Sequence, residues 1–266
     1  MVVAGLIGGV QARGSLSPRM HTRAMALAGI EGSYGLFIVE PPELPAAVEG
    51  VRALGMSGVN VTVPYKQAVV ELVAELSPEA RAIGAVNTIV RDGSRLVGHN
   101  TDARGFLVAL GHHRLDPSGR RIVVLGAGGA ARAVVWALAG VGADVVVAAR
   151  RDEAAAQLAA QMGVAAGQWQ ALEELVAQAH CLVNATTVST ADEDPALARR
   201  AGGWRVREWV VDLNYGRSPN MWQALASRSG AAFADGLAML AAQGAMAMRL
   251  WSGVRVGLEV YLEALG

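Results

Sequence analysis

The stretch 121–151, RIVVLGAGGAARAVVWALAGVGADVVVAARR, leaves this chain few folds to choose from. It runs from an apolar segment through a glycine turn and a helix-length stretch into a second apolar segment. Valine runs such as VVVAA suit strands covered on both faces, as in a parallel sheet flanked by helices. Gly126, Gly128 and Ala131 stand at GxGxxA spacing, after the first strand and at the head of the helix. That is the setting of a dinucleotide turn. Its glycines let backbone approach a pyrophosphate, and the helix N-terminus offers free N–H groups and a favourable dipole. The tip of the second strand selects the cofactor. An acid there meets a free ribose 2′-hydroxyl, and an arginine meets a 2′-phosphate. No acid stands at this tip, whereas Arg150 and Arg151 do, so the turn reads as a site for NADP. Guanidinium forks suit phosphate, and two arginines at a helix start oppose its dipole unless an anion joins them. Asp152 and Glu153 read as first-turn acids of the next helix.

The rest of the chain continues the α/β pattern. VVAGLIGGV (2–10), YGLFIVE and GVNVTVP read as strands. SPRMHTRAMALAGI reads as a helix with Ser17 as N-cap, Pro18 at its first position and Gly29 closing it. ELPAAVEGVRAL, stopped by Gly55, and KQAVVELVAEL read as two more helices. AVNTIVRDGSRLVGHNTD reads as two strands around an Asp92-Gly93 turn. Beyond the glycine turn, CLVNAT and EWVVDLNY read as strands and TVSTADEDPALARRAGG as a mobile loop. GLAMLAAQGAMAMRLWSG and RVGLEVYLEAL read as helices with the spacing of core packing. The pattern changes between Thr101 and Phe106, which marks the expected boundary.

Composition narrows the function classes. A chain of 266 residues with 53% hydrophobic residues builds one large or two modest cores. A net charge of +0 supplies no field for nucleic acid or an anionic membrane. Cys181 is the only cysteine, which excludes an intrachain disulfide and a CxxC metal site; in its apolar run it reads as a core residue. His21 reads as a surface or packing residue, His112 and His113 as structural at a helix end, and His99 as pointing away from Asp102; His180 precedes a strand. No histidine–acid cluster has metal spacing, so no metal is expected. Neither a leader peptide nor an apolar run of ~18 residues is evident, and a cytoplasmic protein is expected.

The polar residues of the first half collect at strand ends: Ser15, Ser17, Asn60, Thr62, Lys66, Asn87, Thr101 and Asp102. Ligands of parallel α/β sheets bind there. Each residue alone has a plainer explanation; Ser17 or Asp102, for instance, could cap a helix. NVTVPYK (60–66) is the most pointed case. Period-two alternation puts Asn60 and Thr62 on one face and Val59, Val61 and Val63 on the core face. Pro64 then ends the strand and turns Lys66, the only lysine in the chain, toward the polar face.

SLSPRMH, GVNVTVPYK, IGAVNTIV, GHNTD, LGAGGAAR, LVNAT and DGLAMLAAQG resemble, in order and spacing, the motif series of the shikimate dehydrogenase family. The resemblance covers nearly the whole chain. It implies an α/β fold of two domains with an active-site cleft between them. Residues 1–102 plus 237–266 would form a substrate domain with a mostly parallel sheet, and 103–236 a Rossmann-type NADP domain. It implies the reversible NADP-dependent reduction of 3-dehydroshikimate to shikimate, a step toward aromatic amino acids; the sequence leaves a monomer and a homodimer both open. By resemblance, Ser15 and Ser17 bind the substrate carboxylate, with Tyr215 assisting. Asn60, Thr62, Asn87, Asp102 and Gln243 hold the ring hydroxyls, and Lys66 and Asp102 are the catalytic pair. Gly126, Ala127, Gly128, Gly129, Ala130, Arg150, Arg151, Thr186, Leu213 and Gly236 hold NADP.

The chain departs from the family's pattern in places. Asn-Arg-Thr is common where Ala149, Arg150 and Arg151 stand here, the first loop (9–14) lacks a usual proline, and 187–195 lacks a usual glycine. Ser218-Pro219 replaces a Thr-Pro. Two other readings stay open. One is a quinate/shikimate or aminoshikimate dehydrogenase paralogue. The other is a non-catalytic NADP-binding regulator, against which the intact Lys66 and Asp102 argue.

Overall fold

The computed structural model describes all 266 residues. The chain divides into two compact units, Met1–Gly105 with Leu240–Gly266, and Phe106–Met239. The crossings at 105/106 and 239/240 compare with 102/103 and 236/237 from the sequence. No helix is long and apolar enough to cross a membrane.

The first unit opens with β1 (Val2–Gly8), α1 (Ser17–Leu27), β2 (Gly32–Ile38), α2 (Leu44–Ala53), β3 (Gly58–Val61) and β4 (Glu75–Leu76). α3 (Pro78–Ile83), β5 (Thr88–Asp92), β6 (Arg95–His99) and the start of α4 (Asp102–His112) follow. Its sheet has the order β2-β1-β3-β5-β6-β4. The pairings are parallel except for β3–β5 and β5–β6, which are antiparallel. The Asp92-Gly93 hairpin makes the second of these, with Gly93 at φ +60°. One sheet face packs Ile7, Val59 and Val61 on Val48 and Val51 of α2.

The second unit holds β7 (Arg121–Leu125), α5 (Gly129–Gly140), β8 (Asp144–Ala148), α6 (Asp152–Met162), β9 (Ala165–Ala166) and α7 (Leu172–Gln178). β10 (Cys181–Asn184), α8 (Pro195–Ala201), β11 (Trp209–Asp212), α9 (Met221–Ser229) and β12 (Ala232–Ala234) complete it. α10 (Leu237–Ser252) then carries the chain back into the first unit, where α11 (Leu258–Leu265) ends it. There Leu6, Met20 and Met25 pack with Met248 and Tyr261 on the other sheet face. The second sheet is parallel throughout, in the order β12-β11-β10-β7-β8-β9. Chain order reverses at β7, the switch point outside which ligands of open α/β sheets bind. The βαβ reading of 121–151 is thus realised as β7, α5 and β8. Cys181 lies in the core of β10, where burial pushes its thiol pKa up.

Four local readings need correction. KQAVVELVAEL is no α-helix: 68–72 form a 3-10 turn, and β4 pairs with β6. Ala74 and Ser77 donate backbone N–H groups to Leu96 and Gly98 of that strand. A strand edge offering partners outcompetes a run whose β-branched valines fit a sheet at least as well. The true helix there is α3, capped by Ser77 accepting from the Ala80 N–H at 3.1 Å and closed by left-handed Gly84. Ser17 is the first residue of α1 rather than its N-cap; that position is Leu16, and the Ser17 N–H donates to Ser15 Oγ at 3.2 Å. The segment read as a mobile loop contains α8, capped by Asp194 and pinned by Leu197 and Ala201 in the core. Lastly, β3 stops at Val61, so Val63 is 39% exposed while Val59 and Val61 are buried.

Candidate active site

In the first unit, the strand-end polar residues converge because β3 and β5 pair side by side and α4 starts directly after β6. Lys66 Nζ donates to Asp102 Oδ2 at 2.6 Å, with the two side chains only 14% and 6% exposed. The lysine backbone is held too, since its carbonyl accepts from the Val86 N–H at 2.7 Å. Tyr65 beside it is buried and donates its hydroxyl to the Val39 carbonyl. The loop is therefore anchored on the core while the ammonium faces the polar cluster.

Asp102 is free to meet Lys66 because another residue caps α4. Asn100 Oδ1 accepts from the Asp102 and Ala103 N–H groups at 3.1 and 3.3 Å, and its amide nitrogen donates to the Ala85 carbonyl at 2.9 Å. Asp102 Oδ1 accepts instead from Asn87 Nδ2 at 2.9 Å. Asn87 ties the cluster together. Its Nδ2 also lies 2.9 Å from Thr101 Oγ1 and 3.3 Å from Gln243 Oε1, and its Oδ1 accepts from the Thr101 N–H at 2.7 Å. Gln243 comes within reach because Gly105 has no side chain: a Cβ there would lie 2.9 Å from that of Gln243. Asn60 Nδ2 donates to the Asn87 carbonyl at 3.2 Å and to Thr88 Oγ1 at 3.0 Å.

Asn60, Lys66, Asn87, Asp102 and Gln243 thus share one hydrogen-bond network. Ser15 and Ser17 stand apart from it as a pair, with hydroxyls 3.2 Å apart. Thr62 is half-buried just past β3, and Tyr215 is half-buried in the loop after β11, in the other unit. His21 proves fully buried, a packing residue rather than a surface one; burial lowers its pKa to about 3, and Asn60 opposes this only in part.

In the second unit, the expected cofactor residues lie at the carboxyl ends of the parallel strands. Gly126 follows β7 with φ +114°, and a Cβ there would sit 2.9 Å from the Ala185 carbonyl oxygen. Only glycine meets both demands without strain. Gly128 is the N-cap of α5, with extended backbone and no side-chain cap, and a Cβ there would meet nothing within 4 Å. Ala127, Gly129 and Ala130 complete this turn, whose first helical N–H groups have no intrahelical partner. Arg150 and Arg151 are exposed past the end of β8. An uncapped helix start, a tight glycine turn and two exposed guanidinium groups fit a dinucleotide phosphate.

Thr186, Leu213 and Gly236 follow β10, β11 and β12, and their loops are knit by residues that sequence reasoning passed over. Buried Asp212 Oδ1 accepts from Asn184 Nδ2 at 2.8 Å and Asn214 Nδ2 at 3.0 Å, and its Oδ2 accepts from Asn220 Nδ2 at 2.7 Å. Asn184 Oδ1 accepts from the Thr186 hydroxyl at 2.7 Å, and Asn214 Nδ2 donates to the Thr186 carbonyl at 2.9 Å. Gly236 approaches so closely that a Cβ would fall 2.1 Å from the Leu213 carbonyl oxygen. The signal for Asn184 and Asp212 was a polar residue ending an otherwise apolar strand.

A glycine turn built for a dinucleotide in one unit and a buried lysine–carboxylate pair in the other define an NADP-dependent oxidoreductase of the α/β class. Family models for the shikimate dehydrogenase substrate binding domain and for shikimate / quinate 5-dehydrogenase match residues 7–89 and 109–201. A shikimate dehydrogenase (NADP(+)) of Anaeromyxobacter sp. (strain Fw109-5) is 42% identical, covering 95% of this chain and 91% of the relative. The crystal structure of shikimate dehydrogenase from Aquifex aeolicus superposes with a TM-score of 0.91 at 35% identity, covering 99% of this chain and 97% of that one. Shikimate 5-dehydrogenase from Thermus thermophilus, in complex with NADP(H) and shikimate, gives 0.87 at 38% identity, covering 100% and 98%. The chain belongs to the shikimate dehydrogenase family.

Proposed function

We propose that this chain catalyses the reversible NADP-dependent reduction of 3-dehydroshikimate to shikimate. The observation that carries the reading is the buried Lys66–Asp102 pair, with the carboxylate held from its other side by Asn87. NADP, when bound, exchanges a hydride with the substrate carbon. What remains for the chain is the proton on the oxygen of that carbon, and a positioned acid–base group must lie within hydrogen-bond reach of it. Lys66 Nζ donates one N–H to Asp102 and keeps others to present. In the reducing direction it gives its proton to the forming alkoxide, and in the oxidising direction it takes one back. Asp102 orients the ammonium and accepts from the reacting hydroxyl.

Ser15 and Ser17, whose hydroxyls lie side by side, hold the ring carboxylate. Asn60, Thr62, Asn87 and Gln243 hold the other hydroxyls. The glycine turn 126–130 would take the pyrophosphate, and Thr186, Leu213 and Gly236 would also hold NADP. A single buried cysteine fits a reducing compartment, and we place the reaction in the cytoplasm.

The direct test is absorbance at 340 nm with shikimate and with quinate, each paired with NADP and with NAD. Shikimate with NADP is expected to give the highest kcat/KM; no reduction of either cofactor by shikimate would overturn the reading. Cofactor choice is tested separately. Arg150→Ala removes one charge-assisted contact, worth ~1.5–3 kcal/mol, so KM for NADP rises about 10- to 100-fold while that for NAD barely changes. Equal losses for both would show that the 2′-phosphate is not its partner.

A further inference from the structure

Asn60 has most of its hydrogen bonds made within the chain itself. Both N–H groups of its amide are used, one on the Asn87 carbonyl at 3.2 Å and one on Thr88 Oγ1 at 3.0 Å. A carbonyl only accepts, so the nitrogen must face β5 and Oδ1 must face the other way. There Oδ1 accepts from the Tyr34 hydroxyl at 2.8 Å. Tyr34 is held in turn by an aromatic stack. Its ring lies on His21 with centroids 4.3 Å apart and planes 7° from parallel, and Trp251 tilts against both. Tyr261 closes the stack edge-on, its hydroxyl 3.1 Å from His21 Nδ1. All of this lies in the first unit.

We infer that Tyr34 is a positioning residue that fixes the acceptor oxygen of Asn60 for substrate, the amide's N–H groups being used on β5. The inference rests on the function proposed above. With both N–H groups used, Asn60 offers a ligand only its acceptor oxygen, Oδ1, which already faces the Tyr34 hydroxyl and His21. A substrate hydroxyl can donate to it; a ketone oxygen cannot. Lys66 has the opposite polarity, because an ammonium only donates. The two residues together set which ring oxygen goes where. The oxygen that becomes a carbonyl is accepted at Lys66, and a permanent hydroxyl is required at Asn60. Loss of the Tyr34 hydroxyl leaves Oδ1 without the donor that fixes it, so the side chain is held from β5 alone and its acceptor is less well placed for the ring hydroxyl.

The test is Y34F, which keeps the ring and every stacking contact, compared with Y261F, which removes a hydroxyl that reaches only His21. KM for shikimate and its Kd by calorimetry are expected to rise about five- to tenfold in Y34F, the size of one lost hydrogen bond. The kcat stays within about twofold of wild type and KM for NADP does not move; Y261F leaves all of these unchanged. Unchanged shikimate KM in Y34F would overturn the inference. So would an equal rise in Y261F, which would mean that stack packing rather than the Asn60 anchor is at work. A Y34F protein that fails to fold while Y261F folds would give the hydroxyl a structural role and overturn it too. Wild-type enzyme that does not oxidise shikimate would remove the proposed function itself, an outcome distinct from these.

Discussion

Lys66→Ala lowers kcat for shikimate oxidation by about 10²- to 10⁴-fold, the range of a positioned acid–base group, while KM for shikimate stays within a few-fold. The split follows from where the lysine acts. On the function proposed above, the serines, Asn60, Thr62 and Gln243 hold the ring in the ground state, and the ammonium adds one contact among several. In the transition state the developing alkoxide meets Lys66, the only cation of this hydrogen-bond cluster, so the loss falls on kcat. Stability changes as well. Lys66 and Asp102 meet at 2.6 Å with little exposure, and removing one partner of a buried pair costs up to ~3–5 kcal/mol. Asn87 still donates to Asp102, which puts the expected cost at the lower end. Lys66→Gln separates the two effects. It keeps an N–H for Asp102 but has no proton to deliver, so the melting temperature recovers in part and kcat does not. A rate unchanged in both variants would remove Lys66 from the mechanism.

The second large effect concerns two glycines separated by a single residue, Gly126 and Gly128. Gly126→Ala places a side chain at φ +114° and 2.9 Å from a backbone oxygen, so the turn itself must shift. Strain of this kind costs of order 1–3 kcal/mol, and the expected result is a lower melting temperature together with at least tenfold weaker NADP binding. Gly128→Ala meets no atom of the protein, and its backbone is extended, a conformation any residue adopts. The fold should keep its melting temperature, yet NADP should still bind at least tenfold more weakly, because the room at Gly128 is where a pyrophosphate approaches. Thermal melts and fluorescence titration with NADPH separate the two. Undiminished NADPH affinity in Gly128→Ala would show that the phosphate does not approach at Gly128.

The glycine turn could be read so far in advance because it is local. A strand, a turn residue needing positive φ and a helix start are dictated by neighbours in sequence, and 121–151 folds as read. The Asp92-Gly93 hairpin was legible for the same reason. The segment 66–76 was not, because its hydrophobic period suits a helix and only the free edge of β6, brought close by the fold, draws its end, Glu75–Leu76, into a strand. α8 was hidden by its polar approach, although Asp194 and Pro195 are a helix-start signature.

Lys66, Asp102 and the two arginines could be singled out as residues, since a lone lysine after a strand-ending proline and cations without an acid are visible in one dimension. Their partners could not. That Asn87 binds Asp102 and Gln243 at once, and that Tyr34 reaches Asn60, depend on side chains far apart in sequence; the Asn100 cap that frees Asp102 is local, two residues away, and was passed over. By itself, the sequence determined the α/β class, the dinucleotide turn and the residue types of the site, because these follow from period, glycine placement and charge over short spans. Tertiary structure alone decided which donor meets which acceptor, because a hydrogen bond forms only within a few tenths of an ångström and on one side of each group.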